Sequence, residues 1–307
     1  MAGRDVVLPD QISRIITVGP VPVFNSFLFA FDKQKAIVNG TPPNLRSFHH
    51  QEIFAPELDG RPLVQGGGMG ISIEAIVGLE PDLVLTMDRG IASTLEQRSI
   101  PVLYLRSCRT PEDIKSWLRI LGQAFDSPQV AAQYAAYFDE TIARVARSLT
   151  PLPKTRPRVL SCILRRSVQP SHITDWWIGA AGGHSVTEDD HIAPEVPFPL
   201  EQMLGWDPEI LIVGSRAEMA LAYADPRFQA ISAVRNRRVH VSPAGAMRWS
   251  GATIEQPLTV LWAAGLIHPS LSDPAGLKRE AASFYERIFH VRLAPDQIDA
   301  ILAGITG

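Results

Sequence analysis

Apolar positions along this chain fall into two alternating kinds of run. Short, β-branched runs at 15–18, 36–38, 83–86 and 102–105 read as strands. Between them, 24–31, 72–79 and 111–124 carry apolar residues at helical spacing. That alternation predicts a parallel sheet with helices on its faces. The second half repeats it, with strands at 159–164, 210–213 and 239–241 and helices at 173–181, 199–205, 226–234, 255–266, 277–289 and from 295 onward. Between the halves, Val130, Tyr134, Phe138, Ile142, Val145 and Leu149 recur at steps of three and four and form one stripe. Ser127 is placed to cap this helix, Pro128 suits its first turn, and Glu140 stands four residues before Arg144. Pro151 and Pro153 stop it. At 1.5 Å per residue it spans about 33 Å, enough to run along the backs of two lobes, and so stiff a tie predicts only small closure.

The two halves also share a block. Ile-Glu-Ala-Ile-Val-Gly-Leu-Glu-Pro-Asp-Leu-Val-Leu at 73–85 returns, 127 positions later, as Leu-Glu-Gln-Met-Leu-Gly-Trp-Asp-Pro-Glu-Ile-Leu-Ile at 200–212. Glu74 and Glu201, Gly78 and Gly205, Pro81 and Pro208, and Arg89 and Arg216 keep one offset. Each copy predicts a short helix opened by a glutamate, packed through Ile76 and Leu79 or through Met203 and Leu204, then an acid-Pro-acid turn into a buried strand. A single duplication means two related lobes and not a repeat array. The expected architecture is therefore α/β: two doubly wound parallel-sheet lobes, 12–125 and 154–307, joined by one long backbone helix within 126–153, with a ligand cleft between the lobes.

Composition narrows the function. With 307 residues, two domains are the natural expectation. A net charge of -3 argues against nucleic acid as a partner. No apolar run reaches the ~20 residues of a membrane span, and Met-Ala-Gly-Arg-Asp opens without the apolar stretch of a signal peptide. Cys108 and Cys162, one per lobe, have no metal-ligand spacing and read as buried thiols, able to bridge only if their Cα atoms come within ~7 Å.

Taken together, Arg14-Ile15-Ile16-Thr17-Val18, the Glu74…Pro81-Asp82-Leu83-Val84 and Glu201…Pro208-Glu209-Ile210 blocks, Ala181-Gly182-Gly183-His184-Ser185-Val186 and Leu261-Trp262-Ala263-Ala264-Gly265-Leu266-Ile267-His268-Pro269 resemble the substrate-binding proteins of ABC importers for ferric siderophores, haem, cobalamin and some oxyanions. The region around Phe284-Tyr285-Glu286 resembles the branch that includes molybdate and less-defined metal-complex binders. The resemblance implies an extracytoplasmic or periplasmic protein that touches the membrane only through a permease or a lipid anchor absent from this sequence. It also implies that Glu74 and Glu201 dock on the ABC permease.

The ligand site is read from residue types. Arg89, Arg216, Arg106, Arg165 and Arg166 follow predicted strands, where α/β sheets bind ligands, and guanidinium forks suit carboxylate, phosphate or oxyanion groups. Arg248-Trp249 follows the strand 239–241, and Phe24 and Trp176 offer flat rings to a macrocycle or aromatic siderophore. In the run Gly66–Gly70, Gly67, Gly68 and Met69 allow close backbone approach but match no phosphate-loop or dinucleotide pattern. His49 and His50 lie on a loop bordering the cleft, yet no histidine has the spacing of a metal centre, so no protein-held metal and no catalytic cofactor are expected. The leading expectation is a non-catalytic binder of a metal chelate (siderophore, corrinoid or haem). A bare oxyanion such as molybdate or tungstate is the alternative ligand. A chelatase-like enzyme is the alternative class, with Glu52 near His49 the only close candidate for the acid–histidine pair it would need at the cleft; no nucleophile–base set supports hydrolysis.

Overall fold

A computed structural model describes residues 5–48, 50–66, 70–188 and 195–305. Its strands in chain order are β1 (Ile15–Val18), β2 (Leu83–Thr86), β3 (Val102–Tyr104), β4 (Arg158–Cys162), β5 (Val168–Gln169), β6 (His184–Ser185), β7 (Val196–Pro197), β8 (Ile210–Val213) and β9 (Val239–Val241). The first lobe is built on the parallel sheet β1-β2-β3, and the second on the parallel sheet β6-β4-β8-β9, with the antiparallel ribbon β5-β7 beside it. The expected strand at 36–38 is instead a 3-10 turn, Gln34–Ala36, followed by one bridge from Ile37 to Ile15. No helix among the described residues is long and apolar enough to cross a membrane.

The strands are apolar on both faces because both faces are covered. In the first sheet Ile16, Val18, Val84 and Val102 point one way and pack on Ile76, Ala92 and Leu95. Leu160, Cys162, Leu211 and Val213 do the same on the outer face of the second sheet, with Met203 and Phe228. Successive residues alternate faces, so Ile15, Leu83 and Leu85 of the first sheet and Val159, Ile210 and Ile212 of the second point the other way. All six join one core that runs from lobe to lobe.

The bridging helix carries that shared core. It spans Pro128–Leu149, and Tyr134, Phe138 and Val145 of its predicted stripe are buried, together with Tyr137 and Thr141. Two local expectations give way to tertiary contacts. Ser127 does not cap the helix, since its hydroxyl donates to the Phe125 carbonyl at 3.1 Å. Arg144 reaches sideways to Glu280 at 3.0 Å, and the same carboxylate accepts the Tyr137 hydroxyl at 2.9 Å. The helix Pro274–Ile288, which bears Glu280, then turns back on the first lobe. Tyr285 meets Phe54 with ring centroids 4.9 Å apart, and Phe289 meets Phe54 at 5.3 Å and Phe29 at 5.7 Å.

The doubled block has a structural logic of its own. Its helices, Ile73–Gly78 and Leu200–Trp206, run into Glu80 and Asp207, both left-handed at φ 45° and 40°. An arginine clamps the freed carbonyls at each end: Arg14 donates to Leu79 O and Glu80 O, and Arg158 to Trp206 O and Asp207 O. The acid after each proline, Asp82 or Glu209, accepts the backbone N–H of that same arginine at 2.9 or 3.0 Å. Ile76 and Met203 are buried as expected; Leu79 is only half-buried, and Leu204 is exposed. The two cysteines are buried and free.

Candidate functional site

The carboxyl ends of the two sheets meet at a buried polar chain. Thr17 of β1 donates to Asn25 Oδ1 at 2.9 Å, and Asn25 donates to Gln51 Oε1 at 2.9 Å. The Gln51 amide then donates to Pro22 O at 2.7 Å and, across the lobe boundary, to Ala246 O at 3.0 Å. Beside it the His50 N–H donates to Gly245 O at 2.7 Å. Pro22 follows β1 and residues 245–246 follow β9, so these bonds fix the floor where a ligand of parallel-sheet lobes belongs.

The loop from Ser242 to Glu255 is held from inside by one carboxylate. Glu255, fully buried, accepts from Ala246 N, Met247 N, the Trp249 indole and the Thr253 hydroxyl at 3.0–3.2 Å and from the Tyr285 hydroxyl at 2.6 Å. Burial pushes its pKa up, against the pull of those donors. Gly245 is obligatory beside it, because a Cβ there would overlap the Glu255 carboxylate and the Tyr285 hydroxyl. Composition and spacing gave no sign of this hub, since a single glutamate before a helix looks like a surface charge.

The loop presents Arg248, whose guanidinium lies against the Cα of Gly214 at the end of β8. Burial lowers the Arg248 pKa to about 10, and the nearby Glu218 charge works against that fall. Glu218 is itself 5 % exposed. Its two oxygens accept the backbone N–H of Gly214, just past β8, at 3.0 Å and of Arg165, in the 3-10 turn Leu164–Arg166 that follows β4, at 3.2 Å. Burial and the same Glu218 charge push the Cys162 thiol up.

The other arginines stand around these edges. Arg89 and Arg216 occupy the first positions of the helices Arg89–Glu96 and Arg216–Ala224, behind the capping side chains Asp88 and Ser215. Ser215-x-x-Glu218 was a legible helix-start signal. Arg89, Arg106, Arg165 and Arg216 are all exposed, with Arg89 over the Tyr104 ring at 5.4 Å and Arg106 acting on Asp113. Arg166 is committed to Glu195 at 3.1 Å.

Of the aromatic candidates, Phe24 and Trp249 lie in the core, and Trp176 is half-buried against it. Phe24 is fully buried and stacks on Trp117, centroids 5.4 Å apart. Trp249 is fully buried against Glu255 and Tyr285, and Trp176 stacks on Phe138 of the bridging helix. Phe24 and Trp176 pack against a second ring, and Trp249 is held by the hydrogen bonds of its indole. His50 is buried, with Nδ1 3.1 Å from Glu52. His49, Gly67, Gly68 and Met69 lie outside the described residues. Among the described residues no three His, Cys, Asp or Glu side chains gather as a metal site. A groove of about 860 Å³ opens elsewhere, between the helices Gln256–Ile267, Pro274–Ile288 and Pro295–Leu302, and none of the candidates lines it.

Glu74 and Glu201 are exposed in the first turns of their helices, and no described residue pairs with either. One turn on, Val77 and Leu204 are 40 % and 36 % exposed at the same offset, so each glutamate stands beside an uncovered apolar side chain.

A family model described as periplasmic binding protein matches residues 46–245. A cobalamin-binding protein of Halobacterium salinarum is 26% identical over 195 residues, 62% of this chain and 53% of its own. The chain thus spans about half the length of the curated relatives it matches. Among solved structures, a periplasmic solute binding protein of Veillonella parvula superposes with a TM-score of 0.81, at 24% identity over 98% of this chain and 95% of that one. The molybdate periplasmic binding protein of Haemophilus influenzae, with molybdate bound, gives 0.82, at 18% identity over 95% and 97%. These two likenesses are of fold.

Proposed function

The chain belongs to the periplasmic binding protein family, and from that premise we propose that it is the substrate-binding component of an ABC importer. On this reading it captures a metal chelate of the siderophore, corrinoid or haem kind between its lobes, outside the cytoplasm, and delivers it to a membrane permease without chemical turnover. The observation that carries the reading is the pair Glu74 and Glu201: two exposed carboxylates, unpaired among the described residues, in equivalent first turns, one per lobe. Each is free to enter a salt bridge at a partner surface. Removing one side of such a bridge costs binding chiefly by leaving the other charge unpaired.

For the ligand, the support is the set of exposed guanidinium groups at strand ends, Arg89, Arg106, Arg165 and Arg216, together with the cobalamin-binding name of the archaeal relative. Lobes at 12–125 and 154–307, tied by the helix within 126–153 and by a common core, are read as closing only slightly. Native mass spectrometry of protein purified from its own host identifies the ligand directly. In vesicles reconstituted with the cognate permease, the Glu74→Ala, Glu201→Ala double variant should keep its ligand and lose uptake. Unchanged uptake would remove the docking role.

A further inference from the structure

We propose that Glu218 is a built-in anion that fills the strand-end nest of the second lobe and so excludes bare oxyanions in favour of larger chelates. The inference rests on the ligand-binding reading above and names its selectivity. Two backbone N–H groups from adjacent parallel strand ends, a helix start and a buried arginine would together suit a small dianion. Here one carboxylate already takes both amides and lies near the arginine, and the Ser215 hydroxyl caps the helix start. Glu218 takes Gly214 N–H and Arg165 N–H, one per oxygen, and its charge compensates Arg248.

The arrangement goes beyond ordinary capping. In a capping box the acid at this position would return to the N–H of the cap residue, Ser215. Glu218 reaches one residue further, to the strand end itself. The corresponding residue of the first lobe, 127 positions earlier, is the apolar Ile91, so the duplicated framework does not demand an acid there. Other strand-end amides are likewise engaged: Gly19 N–H donates to Gln65 at 2.8 Å, Asp88 N–H to Thr86 at 3.0 Å, and Ser242 N–H to Val213 O at 2.9 Å. A small oxyanion seated at Gly214 would meet a fixed negative charge, with both backbone N–H groups of the nest already taken. A chelate is large enough to bind above this floor, its peripheral acidic or amide groups within reach of the exposed arginines.

The test uses the whole protein and sodium molybdate, followed by isothermal titration and by thermal melting. Wild type should give no saturable heat up to about 1 mM molybdate. Glu218→Gln, which keeps the shape and removes the charge, and Glu218→Ala, which also empties the space, should bind molybdate at least about tenfold more tightly than wild type. Saturable binding by wild type overturns the proposal even if neither variant folds. So does a folded pair of variants, checked by circular dichroism, that stays indifferent to molybdate. Cyanocobalamin and a ferric tris-catecholate are titrated into wild type in parallel. If both fail while the molybdate results hold, the chelate reading falls and the role of Glu218 stands.

Discussion

Replacing Gln51 with leucine isolates the polar chain between the lobes. The side chain is 2 % exposed, and leucine nearly preserves its volume, so the loss is one of hydrogen bonds and not of packing. Three buried groups lose a hydrogen bond: the Ala246 carbonyl, the Asn25 amide and the Pro22 carbonyl, the last of which keeps its place in the helical ladder of Val21–Phe29. Each unsatisfied group costs about 1–3 kcal/mol, with carbonyls toward the lower end because a second lone pair can find another donor. The expected loss is therefore about 3–4 kcal/mol, a large share of a total stability of about 5–15. Guanidinium unfolding followed by tryptophan fluorescence measures it, with the m-value unchanged if only the native state is affected. Asn25→Leu should cost a similar amount alone, yet the double variant should cost at least about 1 kcal/mol less than the two combined, since the pair shares one bond. A Gln51→Leu loss below about 1 kcal/mol, or strict additivity with Asn25→Leu, would refute the account of a satisfied, continuous chain.

Gly245→Ala forces a methyl group into the Glu255–Tyr285 contact and should lose about 2 kcal/mol or more, read as a fall in Tm. Asp207 accepts Ser232 N–H and the Ser232 hydroxyl, both at 2.7 Å, and these bonds hold its carboxyl below the usual range. Its stabilising contribution is therefore present above the unfolded pKa of ~3.8 and is lost as pH falls through the folded value. Asp207→Asn should lower stability at neutral pH and flatten its acid dependence; an unchanged acid titration profile would discount the Ser232 bonds. Glu74→Ala and Glu201→Ala should each change stability by less than about 0.5 kcal/mol, because neither carboxylate has a partner among the described residues.

The framework was legible because its signals are local and redundant. The strands 15–18, 83–86, 210–213 and 239–241 and the bridging helix lie where the apolar runs and Pro128 put them. Less was legible wherever long-range contacts redirect a side chain. Arg144 had a good neighbour in Glu140, and a better one 136 positions away in Glu280. Phe24 and Trp249 have no feature in sequence that separates a rim ring from a core ring; only the opposing Trp117, or the Glu255 carboxylate, decides it. The arginines after β2 and β8 stand close to the expected strand ends, but each opens a short helix, of eight and nine residues. Gln51, Glu218 and Glu255 went unnoticed for a common reason. A buried polar residue is identified by the donors and acceptors that surround it, and those come from distant parts of the chain.

The return of Tyr285 and Phe289 onto Phe29 and Phe54 bears on the order in which the protein can form during synthesis. The first lobe leaves the ribosome first, and N-terminal domains generally fold first. This one lacks part of its aromatic wall until Tyr285 and Phe289 have been made. A nascent chain halted after the bridging helix should hold its sheet loosely, with Phe29 and Phe54 uncovered, and so remain open to chaperones. Release of the full chain should then fold both lobes in one step. Limited proteolysis of stalled chains tests this, since a protease-resistant first lobe before residue 285 is synthesised would contradict it.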